Sequence, residues 1–149
     1  MNSVFVPADR EALSRRLADL DPTSSRQWGR MEPGQMLRHC AIALEMAVGE
    51  EVRKQVFLGK LLMPFIRRSI FGPKPWRRNS PTDPSLVVSQ PCEFEAERTR
   101  LATLLDRFIR QGPEQAARHI HPFFGRLSGE EWGRLMYKHL DHHLQQFGV

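Results

Sequence analysis

Cysteine is scarce: Cys40 and Cys92 are the only two in 149 residues. With no CxxC pair, the chain has no disulfide framework. Long apolar runs are missing as well. The most apolar stretch, Val56 to Ile66, is interrupted by Gly59, Lys60 and Pro64, and falls far short of the roughly 20 residues that span a bilayer. The opening MNSVFVPADR has neither a basic n-region nor an apolar h-region; together with the sparse cysteines this leads us to expect a cytoplasmic protein. No Gly-rich phosphate loop, GxSxG elbow or HExxH zincin motif occurs, and HLDHH lacks the glutamate that follows the first zincin histidine. No period-2, β-branched run predicts a sheet, and no internal repeat predicts a solenoid.

What is present is ordinary for a globular chain, with 40% hydrophobic and 26% charged residues. That composition excludes a disordered or fibrous class and predicts one domain over residues 1–149, long enough to bury a core. The net charge of +5 permits an anionic partner (nucleic acid, phospholipid or an acidic small molecule) without requiring one.

Helical spacing organises the rest. Pro7 opens a helix that carries Leu13, Leu17 and Leu20 and stops at Asp21-Pro22. A polar loop with one aromatic, Trp28, leads to a second helix over 33–48, where Pro33 suits the first turn. On it, Met36, His39, Ala43, Met46 and Ala47 share one face, and Arg38, Ala41 and Glu45 the other. Residues 49–91 read as an irregular crossover with a short helix over 54–71, broken or kinked near Pro64. The proline-rich GPKPWRRNSPTDP follows. The cations Arg67, Arg68, Lys74, Arg77 and Arg78 around Trp76 suggest an anionic-surface contact, such as nucleic acid or a membrane; the plainer and preferred reading is a solvated loop. A helix over 92–111 aligns Phe94, Leu101, Leu105 and Phe108 and ends at Gly112-Pro113. A loop or short turn, PEQAARHIHPFFGRL, then leads into the last helix. The expectation is an all-α bundle of four main helices with a long crossover between the second and third.

The last helix, after a capping box at Ser128 and Glu131, carries imidazoles in its apolar stripe. At about 100° per residue, Trp132, Met136, His139, His143 and Phe147 fall within roughly 80°. Arg134, Lys138, Asp141 and Gln145 gather on the opposite, solvated side. His139 and His143 stand at i and i+4, a spacing that can chelate one ion, and His39 supplies a third inward imidazole from another helix. Three protein ligands leave positions open for water or substrate, the arrangement of a catalytic site. The competing reading is three core histidines held by hydrogen bonds, and periodicity leaves both standing. His142, His121, Arg98 and Gln35 are candidates for the pocket around the site. Cys40, mid-helix in an apolar stripe, reads as an inert thiol.

The patterns GRMEPGQMLRHC and KHLDHHLQQF resemble the DinB-like (YfiT-like) superfamily of four-helix bundles. The segment HPFFGRLSGEEWGRLMYKHLDHHLQQFGV is similar to a bacterial branch known only as a domain of unknown function. That resemblance implies a divalent metal, zinc or nickel, on His39, His139 and His143. It also implies chemistry in which the metal activates a thiol or water for transfer or hydrolysis, a low-molecular-weight thiol as co-substrate, and a homodimer. The chain departs from the usual signature in carrying Leu-Gln-Gln after His143. Non-catalytic metal binding, or a degenerate site, is the alternative within the same fold.

Overall fold

A computed structural model describes residues 1–50 and 57–149. It is an all-α bundle: α1 (Pro7–Asp19), α2 (Pro33–Ala47), α3 (Phe57–Phe71), α4 (Phe94–Ala116) and α5 (Gly129–Gln146). A short 3-10 turn, Pro84–Leu86, lies in the α2–α4 crossover, and two-residue strands β1 (Ile120–His121) and β2 (Gly125–Arg126) precede α5. Among the described residues, no helix is long and apolar enough to cross a membrane.

The helix starts follow from local chemistry. Pro33 occupies the first turn of α2, and Glu32 with Gln35 closes a capping box there. Ser128 and Glu131 do the same for α5, each side chain accepting from the other's backbone N–H. In α4 the helical path breaks at Gly112, whose φ of 75° a side chain would strain, and Pro113 begins one further turn.

α2 is the central element, packed on α4 along one side and α5 along the other. Met36, Leu37, Cys40, Ala41, Leu44 and Ala47 are all essentially inaccessible. The other face, that of Arg38, Ala41 and Glu45, is covered as well, because α4 packs on it and Ala41 and Glu45 are buried. From the other side, Trp132 of α5 and Phe108 of α4 bury completely; residues of this size each contribute about 2–3 kcal/mol by leaving water. The N-terminal segment seals this layer. Phe5 stacks on Phe108 at 5.1 Å, and the chain passes so close to α5 that a Cβ on Gly133 would collide with Ser3 Oγ.

Three expectations change. Of the helix expected over 54–71, residues 54–56 lie outside the described residues, and the remainder, α3, runs unbroken through Pro64. The loop before α5 folds into a small antiparallel hairpin, Ile120 opposite Arg126 and His121 opposite Gly125; strands of two residues have too few positions to show a period. The face of α5 expected to be solvated is mostly engaged. Asp141 receives Arg16 Nη1 at 2.6 Å, and Lys138 donates to the carbonyls of Gly72 at 2.8 Å and Lys74 at 3.0 Å. Only Gln145 is exposed among the four.

Those Lys138 contacts pin the proline-rich segment down. Trp76 is half-buried, with its indole N–H donating to Ile70 O at 3.0 Å. The segment is thus no freely solvated loop at Trp76, although Arg77 and Arg78 remain exposed.

Candidate metal centre

Where α2 meets the C-terminal half of α5, three imidazoles converge. His39 and His143 are buried. His139 keeps part of its surface, but one nitrogen from each ring lies within 4.8 Å of the others. The ring centroids stand 4.6–4.9 Å apart pairwise.

Which nitrogens face inward follows from what the outer ones bond. His39 Nδ1 lies 2.8 Å from Leu86 O. A carbonyl only accepts, so Nδ1 carries the proton and Nε2 presents a lone pair. His143 Nδ1 lies 2.9 Å from Gln146 Oε1. The orientation of that amide is set in turn, since Gln146 Nε2 donates to Trp28 O at 2.9 Å. His143 Nε2 therefore also presents a lone pair to the cluster. His39 Nε2 and His139 Nε2 are 2.9 Å apart.

Burial sets the charge state. It pushes the pKa of His39 down against the opposing Leu86 bond. It holds His139 well below the ordinary imidazole value, with the neighbouring histidines adding to the shift. His143 is pushed down to about 3, by burial first and His39 second, with Gln146 opposing. All three are neutral at physiological pH, the form that ligates a metal.

The donor set fits a divalent ion. At bond lengths of 2.0–2.1 Å, tetrahedral nitrogens stand about 3.3 Å apart, so the observed cluster needs shifts of less than about 2 Å at its widest and a few tenths at its tightest. Two of the three rings already have the hydrogen-bonded outer nitrogen typical of a ligating histidine. Among the described residues, no cysteine or carboxylate joins the three imidazoles, which leaves coordination positions open.

The remaining candidates are placed as follows. His142 stands at the mouth, its half-buried ring 5.2 Å from His143, 5.5 Å from Trp28 and 6.0 Å from Trp76. Burial lowers its pKa and Asp141 opposes. His121 holds the hairpin turn, with Nδ1 accepting from the N–H groups of Phe123 and Phe124, each at 3.1 Å. Burial pushes it down to about 4. Gln35 is committed to the α2 cap and to Gln90 O. Arg98 donates to Leu20 O and covers the Phe94 ring, engaged at the end of α1. Cys40 packs against Met36 Sδ at 3.7 Å, and burial drives its thiol pKa upward, so it is no nucleophile. A groove of about 540 Å³ between α1 and α4, lined in part by Arg10, Leu17 and Ile109, contains none of these imidazoles.

Sequence reasoning missed the supports, namely the Leu86 carbonyl, Gln146, Trp28 and Trp76. Gln146 had a signal, because it lies three residues after His143 on the same helical face. A backbone carbonyl brought in from a crossover has none.

Residues 6–148 match the sequence model of a family described as "Protein of unknown function (DUF1569)". No curated protein and no solved structure matches the chain.

Proposed function

The chain belongs to the DUF1569 family, and from that premise we propose a metal-dependent enzyme of DinB-like kind, carrying a divalent ion on His39, His139 and His143. The observation that supports this reading is the convergence of three neutral imidazoles from two helices, two of them with their outer nitrogens held by Leu86 O and Gln146 Oε1. Hydrogen-bonded core histidines need no such arrangement. Each could pair with an acceptor separately, whereas here His39 Nε2 and His143 Nε2 both present lone pairs to the cluster, and the proton shared between His39 Nε2 and His139 Nε2, 2.9 Å apart, is one that a bound ion would displace.

When bound, a zinc or nickel ion would supply Lewis acidity, lowering the pKa of a coordinated water or thiol enough to give a nucleophile near neutral pH. The protein's part is positional. His39 and His143 are locked in one tautomer, and burial keeps protons from competing for the ligating nitrogens. Trp76 and Trp28 pack their rings beside the cluster, Trp76 against His139 and His142 and Trp28 against His142. Among the described residues, the half-buried His142 is the titratable ring beside the cluster that is not one of the three ligands, and we assign it proton exchange with an entering group. Transfer of a group to a low-molecular-weight thiol, or hydrolysis, is the chemistry such a site supports.

The test is metal analysis of protein purified without a His-tag, followed by zinc and nickel titration. About one equivalent of a transition metal, lost in the His39→Ala variant, is expected. Less than about 0.1 equivalent, with no change in thermal midpoint on adding either ion, overturns the reading. Turnover assays then separate an enzyme from a protein that only stores or senses the ion.

A further inference from the structure

We propose that the mouth of the histidine cluster is a carboxylate-recognition site in which Arg78, stacked on Trp28, holds the anionic end of a ligand whose other end reaches the metal. This rests on the metal reading above. It is carried by how the crossover segment is fastened over the cluster. Lys138, adjacent to His139, fixes the backbone at Gly72 and Lys74, and Trp76 is anchored to Ile70. These two ties deliver Trp76 to within 6.0 Å of both His139 and His142, ring to ring. They also bring Arg78 over Trp28, with Cζ 4.3 Å from the ring centroid.

Trp28 does two things at once. Its ring carries the Arg78 guanidinium, and its carbonyl holds Gln146, which orients His143. A guanidinium lying on an aromatic face keeps its N–H edge free for a planar, bidentate acceptor, which a carboxylate is. Among the described residues no carboxylate pairs with Arg78. The acid nearest the mouth on α5, Asp141, is already taken by Arg16 at 2.6 Å. Beside the cluster the His142 ring therefore packs between those of Trp28 and Trp76, with the exposed Arg78 guanidinium over Trp28. A small ligand with a metal-binding donor, a flat body and a carboxylate meets all three features.

The experiment uses the full chain loaded with zinc, its content verified by elemental analysis. Two probes differ only in charge: 4-mercaptobenzoate and the uncharged 4-mercaptobenzamide, each titrated calorimetrically. The carboxylate probe should bind about fivefold tighter, as suits a partly exposed ion pair, and the margin should shrink in high salt. Arg78→Gln, at an exposed position, should erase the preference while leaving zinc content and amide affinity unchanged. Arg77→Gln should leave the preference in place. Equal affinities in the unmodified protein, a preference that survives Arg78→Gln, or one lost equally in Arg77→Gln each overturn the proposal. Failure to take up zinc overturns the metal site and this mouth together, and is read separately from the probe titrations.

Discussion

Helix α2 buries two polar side chains six residues apart, His39 and Glu45, each about 4% exposed, and their surroundings are opposites. Around Glu45 the protein supplies the full complement of charge. Arg100 Nε reaches its carboxylate at 2.8 Å and Arg38 Nη1 at 3.2 Å, and Arg38 also approaches Glu97 at 4.0 Å. Around His39 it supplies more of the same group, two further imidazoles whose protonation would repel. The first cluster is closed, since every charge has its opposite within the chain, and it joins α2 to α4. The second has no opposite charge within it: His39 Nε2 meets His139 Nε2 at 2.9 Å, and under the proposed function a cation from outside would complete it. One helix thus carries a charge-matched buried cluster and, under the proposed function, a second one that takes an ion.

The comparison is broken most directly by removing a ligand. His143→Ala should weaken zinc binding by at least about a hundredfold, roughly 3 kcal/mol, the share of one ligand in a site of this size. Competition against a chromophoric chelator measures it, and an unchanged affinity would put the ion elsewhere or nowhere.

Acid should discriminate the clusters next. His143 and His121 have folded-state pKa values lowered to about 3 and about 4, against about 6.5 in the unfolded chain. Their stabilising effect is complete above pH 6.5. Below it the unfolded chain binds protons that the folded one refuses, and stability falls until the folded values are reached. Between pH 7.5 and 5.5 each group should cost the metal-free protein about 1.4 kcal/mol. Urea melts across that range test this, and His143→Ala should show a shallower slope. A flat profile would mean that the imidazoles are less enclosed than described.

Glu45→Ala tests the closed cluster. It leaves two arginines facing a buried gap, but both are partly exposed, so the loss should be about 2 kcal/mol rather than the 3–5 of a fully buried pair. Zinc stoichiometry should not change. Loss of zinc in this variant would show that the two clusters are one.

The site's inner residues were legible in the sequence because a helix projects i and i+4 onto one line, and His39, His139 and His143 each replace an expected apolar residue. The four main helices were legible for the same reason, together with the caps at Pro33 and Ser128. What was not legible depends on contacts between distant segments. Glu45 looks like a surface residue until α4 covers it. Lys138 and Asp141 look solvated until Gly72, Lys74 and Arg16 arrive. Trp76 sits among prolines and cations that read as loop, and only the ties to Ile70 and Lys138 turn it inward.

The finest test of the open cluster concerns the supports of its two oriented rings. His39 is held by a backbone carbonyl, which no side-chain substitution removes, while His143 is held by Gln146. Gln146→Leu keeps the volume, strands the His143 Nδ1–H and the Trp28 carbonyl, and frees the ring to turn. Zinc affinity should drop about tenfold, the low end for loss of such a support, because helix packing still confines His143. Gln146→Glu should restore it only in part, since a carboxylate accepts the His143 proton more strongly but cannot donate to Trp28 O as Gln146 Nε2 does. If Gln146→Leu binds zinc as the unmodified protein does, the tautomer of His143 is set by packing alone. His39 alone would then be held in its ligating tautomer by a hydrogen bond.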